Sequence, residues 1–166
     1  MNNITLIGMP ACGKSTLGVL LAKALNLQFV DTDLLIQQKY GQFLWQILDM
    51  EGIEAFKDKE AGVIRALACE GACIATGGSV VYSNEAMRHL KAISKIVFID
   101  LPCGEIERRI ADIRGRGVVI DKGKTLRELF DERRPLYLRY ADIVIDAKGM
   151  GVEELVMEIQ QRLQTP

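Results

Sequence analysis

The residues Gly8-Met9-Pro10-Ala11-Cys12-Gly13-Lys14-Ser15, followed by Thr16, fit the spacing G-x-x-x-x-G-K-[ST]. Four residues between two glycines let the backbone wrap a polyphosphate with successive N–H groups turned inward. Gly13 permits close approach where a Cβ would clash. Lys14 would reach the β- and γ-phosphates of a nucleotide as a point charge, and the Ser15 hydroxyl would sit on Mg²⁺. Gly8, Ala11, Cys12, Gly13, Lys14, Ser15 and Thr16 are thus the candidate nucleotide contacts. Cys12 is read as a small residue filling a loop position, in preference to a thiol made acidic by the helix N-terminus and Lys14.

Carboxylates and arginines form the second set. Asp31 and Asp33 stand two apart at the end of a predicted strand, where residues i and i+2 share a face. One would serve a metal nucleotide; the other would orient a hydroxyl acceptor or take its proton. The competing role for Asp33 is a helix N-cap, and the phosphate loop upstream favours the chemical one. Arg114-Gly115-Arg116-Gly117 follows a helix carrying Arg108 and Arg109. Arginines on a glycine-broken loop suit a lid that closes over phosphates and stabilises transferring charge, the alternative being a solvated basic loop. Arg133, near Pro135, is either a bidentate carboxylate holder or a surface charge. Gly77-Gly78 after a buried strand is a turn or a place where ligand approaches backbone. His89 and Trp45 lack a chemical partner in the sequence and are read as structural or exposed.

These groups need a scaffold. Ile4–Ile7 is a short apolar, β-branched run, and Leu17, Leu20, Leu21, Ala24 and Leu25 recur at helical spacing after the loop. Strand, loop and helix are the setting the phosphate pattern requires, with the helix N-terminus adding partial positive charge. Further strands are predicted at Gln28–Val30, Ala72–Thr76, Lys95–Leu101 and Ile143–Ile145. Helices are predicted as two short pieces over 34–50 broken near Gly41, then over 53–69, Glu85–Leu90, Gly104–Asp112, Thr125–Arg139 interrupted at Pro135, and Val152–Leu163. In the 53–69 helix, Ile53, Phe56, Glu60, Val63, Ile64 and Leu67 fall at mostly helical spacing. Residues 113–123, with glycines among Arg and Lys, read as a mobile loop. Alternating strands and helices predict a parallel sheet covered on both faces, with ligands beyond the carboxyl ends of the strands.

Composition limits the choices. The 166 residues suit a single domain over 1–166 with a real core; 49% are hydrophobic and 26% charged. A net charge of −1 and a pI near 5.9 give no basic stripe for nucleic acid. No apolar run approaches the roughly 18 residues of a membrane span. No basic segment precedes an apolar one at the N-terminus, so a secretory signal is not expected. Cys12, Cys69, Cys73 and Cys103 make no C-x-x-C pair, and with one histidine a zinc site is not expected; a reducing cytoplasm fits.

The ordered set of motifs resembles the shikimate kinase family, within the nucleoside-monophosphate-kinase-like P-loop group. The resemblance covers nearly the whole chain: Gly8–Thr16, Asp31-Thr32-Asp33, Gly52 with Phe56-Lys57, Thr76-Gly77-Gly78, Arg108-Arg109, Arg116, and Arg133-x-Pro135-x-Tyr137. It implies an α/β P-loop fold of three layers, with a five-stranded parallel sheet in the order 2-3-1-4-5. It also implies a lid near 113–123, an acceptor-binding helical segment near 33–60, and transfer of the γ-phosphate of ATP, with Mg²⁺, to the 3-hydroxyl of shikimate. Carried over by position, Asp33 meets the acceptor hydroxyls and Asp31 stands near Mg²⁺ through water. Lys57 and Arg133 face the shikimate carboxylate, and Gly77 and Gly78 lie on the acceptor, Gly78 giving a backbone N–H. Arg116 reaches the transferring phosphate, and Arg109 and the segment after Asp146 reach the adenine. A monomer is expected.

Four places depart from the family pattern. Lys57 stands where arginine is usual and lacks its planar fork. Ser79 follows Gly77-Gly78 where a third glycine is usual. Arg116-Gly117-Val118-Val119 replaces a common Arg-Pro-Leu-Leu, and Ala11 occupies a frequent glycine position. Lys57 and Ser79 keep open a related kinase for homoserine or a sugar acid. A nucleotide-binding regulator without transfer activity is disfavoured by the intact Lys14, Ser15, Asp31, Asp33 and Arg116.

Overall fold

The computed structural model describes residues 3–112 and 123–164. The lid reading, with Arg114 and Arg116, falls outside these residues apart from Gly123. The elements run β1 (Asn3–Ile7), α1 (Lys14–Leu25), β2 (Gln28–Asp31), α2 (Thr32–Tyr40), α3 (Leu44–Arg65), β3 (Ala72–Ala75), α4 (Asn84–Ile93), β4 (Ser94–Asp100), α5 (Cys103–Asp112), α6 (Leu126–Tyr140), β5 (Ile143–Asp146) and α7 (Val152–Gln164). A 3₁₀ turn at Val80–Tyr82 precedes α4.

The five strands pair in parallel in the order β2-β3-β1-β4-β5, as expected. Every residue of β1 and β3 is buried, so helices cover both faces at the sheet centre. The register sets the site. Leu6 lies opposite Ala75 and Val97, and Asp31 opposite Ala75. The segments leaving β1, β2 and β3 therefore start side by side at one sheet edge, bringing the phosphate loop, Asp33 and Gly77-Gly78 together.

The main core surrounds this sheet, with Leu6, Ile7, Leu17, Leu21, Ile74, Phe98 and Ile99 among its buried members. A second, smaller core lies within α2 and α3, made of Ile36, Ile47, Phe56 and Val63.

The break expected between the 34–50 and 53–69 helices falls at Gly52 within α3, where φ 85°, ψ 176° is non-helical and kinks the element. Two local expectations change. Helix α6 runs unbroken through Pro135. One lost N–H bond is outweighed by a buried face of Leu129, Arg133 and Tyr137, spaced four apart along the helix. Finally, the extended geometry invoked for Asp31 and Asp33 ends at Asp31. Asp33 lies in the first turn of α2, and its backbone N–H donates to Asp31 Oδ1 at 3.0 Å. The N-cap is thus Asp31, and Asp33 is released from that structural duty.

Candidate active site

The phosphate loop has a backbone built by its residue types. Gly8 has φ 149°, and a Cβ there would lie 2.8 Å from the Ile99 carbonyl oxygen. Gly13 caps α1 at φ 96°. Ala11 adopts φ 61°, a left-handed conformation that explains why glycine is frequent at this position. Cys12 is buried, its Sγ packed near Gly8, which agrees with a space-filling role.

Lys14 is buried at 8% exposure and folds back over the loop. Its Nζ donates to Gly8 O and Met9 O, each at 2.8 Å, and to Cys12 Sγ at 3.6 Å. Ser15 Oγ donates to Asp31 Oδ2 at 2.8 Å. Arg109 reaches over from α5 and donates to Ala11 O at 3.4 Å, beside Gly13.

Directly beyond the loop is a pocket of about 130 Å³. Lys14, Ser15 and Thr16 line one side; Asp33, Glu60, Gly77, Gly78, Ser79 and Arg133 line the other. A larger hollow of about 860 Å³ lies at the opposite sheet edge, among residues that precede the strands. Its buried polar groups are already spent. Asn3 bonds Cys69 O, Ile93 O and Ala72 N, and Ser94 bonds Thr5 and Leu90 O. The smaller pocket holds the chemistry.

Helix α6 delivers Arg133 to that pocket. Arg133 is 1% exposed, and its Nε donates to the Tyr82 hydroxyl at 3.2 Å. That hydroxyl donates to Glu132 at 2.5 Å. Tyr137 donates to Gly78 O at 2.7 Å and fixes the glycine turn against α6. Arg134 grips Asp100, at the end of β4, through bonds of 2.7 to 3.2 Å and holds α6 to the sheet. Gly78 is needed for closeness: a Cβ there would stand 2.9 Å from Pro10 and 3.1 Å from Arg133 Nη1.

No sequence motif marks Glu60 of α3. It is 1% exposed, and Ser79 Oγ donates to its Oε2 at 2.5 Å. Burial pushes its carboxyl up to about 7; the Ser79 bond opposes this and the Asp33 charge adds to it. The signal was present in sequence, since Glu60 is the one charged residue in the apolar row Ile53, Phe56, Glu60, Val63, Ile64, Leu67.

Lys57 is not brought to the pocket wall. Its Nζ lies 3.0 Å from Glu54 Oε1 and 4.8 Å from the centroid of the Tyr82 ring, which Arg133 also approaches, at 5.2 Å. Trp45 is half exposed beside Phe43, and His89 Nε2 bonds Leu67 O at 2.7 Å; neither approaches the site.

The loop fits a magnesium nucleotide. A left-handed glycine at the helix start leaves the N–H groups of the α1 N-terminus open to phosphate. Ser15 and Asp31 place two hard oxygens side by side. Among the described residues no group of three or more His, Cys, Asp or Glu side chains could hold a metal ion. No helix among the described residues is long and apolar enough to cross a membrane.

Comparison with known proteins agrees with this geometry. The shikimate kinase family model matches residues 10–164. Shikimate kinase of Francisella tularensis subsp. novicida is 37% identical over 161 residues, covering 95% of this chain and 92% of the relative. The solved shikimate kinase of Acinetobacter baumannii in complex with shikimate superposes with a TM-score of 0.90 at 28% identity, covering 98% of this chain and 93% of that one. The Aquifex aeolicus enzyme superposes with a TM-score of 0.81 at 34% identity, covering 98% and 96%. This chain belongs to the shikimate kinase family.

Proposed function

We propose that the chain transfers the γ-phosphate of ATP to the 3-hydroxyl of shikimate, giving shikimate 3-phosphate and ADP. The observation that carries this reading is a single pocket lined at one side by Lys14 and Ser15 and at the other by Asp33 and Arg133.

The acceptor carboxylate is held by Arg133, which α6 presents buried and oriented. Lys57 adds positive charge beside Tyr82. Gly77 and Gly78 let the acceptor lie against backbone. Asp33 orients the attacking hydroxyl and takes its proton as the new O–P bond forms and the bond to the β-phosphate oxygen breaks. Lys14 exchanges the carbonyls of Gly8 and Met9 for phosphate oxygens and stabilises charge on the transferring group. Ser15 and Asp31 would hold Mg²⁺, which neutralises charge between the β- and γ-phosphates. Arg109, already across the loop, is assigned to the adenine side. Arg116 is assigned to the transferring phosphate, and 113–123 to a lid, from the sequence alone.

The proposed working form is a cytoplasmic monomer. The four cysteines are free thiols, as a reducing compartment keeps them; light scattering after size exclusion checks the monomer.

Coupled ADP release tests the reaction. Release that depends on shikimate supports it. No release with shikimate, alongside turnover of homoserine or a sugar acid, overturns it.

A further inference from the structure

Arg133, the fork assigned to the acceptor carboxylate, is held by a residue that does not itself line the pocket. Tyr82 ends the 3₁₀ turn that follows Gly77-Gly78-Ser79. Its hydroxyl donates to Glu132 Oε1 and accepts from Arg133 Nε at 3.2 Å. The other Glu132 oxygen, Oε2, takes a bond from Lys124 Nζ at 2.7 Å. That bond first, and the Tyr82 bond second, hold the Glu132 carboxyl below its ordinary value, so it remains an acceptor at neutral pH. With its proton committed to Glu132, the Tyr82 hydroxyl turns a lone pair to Arg133.

The turn and α6 are tied in both directions. Tyr82 of the turn bonds Glu132 and Arg133 of α6, while Tyr137 of α6 bonds the Gly78 carbonyl. Between these bonds Arg133 is 1% exposed, with Nη1 3.1 Å from where a Cβ on Gly78 would stand. The guanidinium is thus fixed relative to the glycine turn. Lys57 Nζ lies against the same tyrosine ring. Lysine brings charge without a planar fork, so of these two cations only Arg133 can meet a carboxylate bidentately, and its orientation decides that contact.

We infer that Tyr82 is a positioning residue for acceptor recognition: its hydroxyl, oriented by Glu132, fixes the Arg133 guanidinium for the acceptor carboxylate. This rests on the reading that Arg133 meets that carboxylate. A fork already held in place loses less freedom on binding than one that must be ordered by the ligand.

The test is steady-state kinetics on the wild type, Tyr82→Phe and Glu132→Gln. Tyr82→Phe keeps the ring and removes one oxygen. It should raise the KM for shikimate about 3- to 10-fold, while kcat and the KM for ATP move less than about twofold. Glu132 is exposed, so Glu132→Gln keeps the test valid if Tyr82→Phe fails to fold; it should raise the same KM about 2- to 5-fold. A mere brace of the turn would lower the melting temperature without this split between the two substrates. Calorimetric titration with shikimate then closes a cycle with Arg133→Lys, which keeps the charge and loses the Nε donor. Tyr82→Phe should weaken binding by less than about twofold on the Arg133→Lys background, against about 3- to 10-fold on the wild type. If Arg133→Lys abolishes binding, the kinetic split alone decides. If the wild type turns over shikimate but both single variants keep its KM, or if Tyr82→Phe costs the same on both backgrounds, the inference fails alone. An equal rise in the KM for ATP also overturns it, because the effect would then belong to the fold at large. If the wild type does not turn over shikimate, the acceptor reading fails and takes this inference with it.

Discussion

The nucleotide side and the acceptor side of the pocket are built on different principles. On the nucleotide side, function is carried by backbone. Gly8 packs against the Ile99 carbonyl, Gly13 starts α1 in a left-handed conformation, and Lys14 is satisfied by two loop carbonyls. The loop stands between β1 and α1 on the main core. On the acceptor side, function is carried by side chains on α2, α3 and α6. Helices α2 and α3 have a small core of their own, a kink at Gly52, and exposed Phe43, Trp45 and Met50 nearby. Backbone geometry admits few residue types, whereas a side-chain wall can be rebuilt by compensating changes. Of the departures, Ser79 falls on the wall, while Lys57 lies outside it on α3.

The sharpest separation of the two sides is Asp33→Asn. It should lower kcat by about 10²- to 10⁴-fold while ATP affinity, measured by calorimetry, stays within about twofold. Retained turnover would remove Asp33 from the mechanism.

Glu60→Gln should show the cost of the acceptor wall to folding. Folded, Glu60 keeps its proton up to about 7; unfolded, it loses it near its ordinary 4.5. The folded chain binds more protons between these values, so this group's contribution to stability falls as pH rises from 4.5 to 7 and stays low above. The variant should therefore gain up to roughly 3 kcal/mol relative to wild type at pH 8 that it does not gain at pH 4.5. Denaturant titration at both pH values measures this; an equal difference at each would show that Glu60 is not titrating as placed.

Glycine substitutions compare the backbones. Gly8→Ala meets a carbonyl and should cost about 2 kcal/mol or more. Gly41→Ala, at φ 66° with open space around it, should cost about 1 kcal/mol. Similar costs in denaturant would remove the contrast. The smallest effect is a gain: Ala11→Gly relieves a left-handed alanine and should stabilise by about 1 kcal/mol, less the extra freedom of the unfolded chain.

The two sides also differed in how legible they were. The phosphate loop and the meeting of Asp33 with Gly77-Gly78 were readable from motif spacing and alternating strands and helices, whereas the strand order came from the family resemblance. The roles of Asp31 and Asp33 were only half readable. Their nearness to the loop followed from position, but extended geometry was the wrong reason, since α2 starts at Thr32. Pro135 was misread because local propensity cannot weigh a buried face formed by Leu129, Arg133 and Tyr137. The Ser79–Glu60 bond joins two segments 19 residues apart, and the placement of Lys57 depends on Glu54 and Tyr82. Such pairings are decided by packing, which no local pattern records.

The central claim is that this pocket joins ATP to shikimate. Incubation of the purified protein with ATP, Mg²⁺ and shikimate, followed by ³¹P NMR, tests it directly. The account predicts one new phosphomonoester signal, coupled to the C3 proton of shikimate and growing in step with ADP. ATP left intact, or cleaved only to free phosphate, would contradict it.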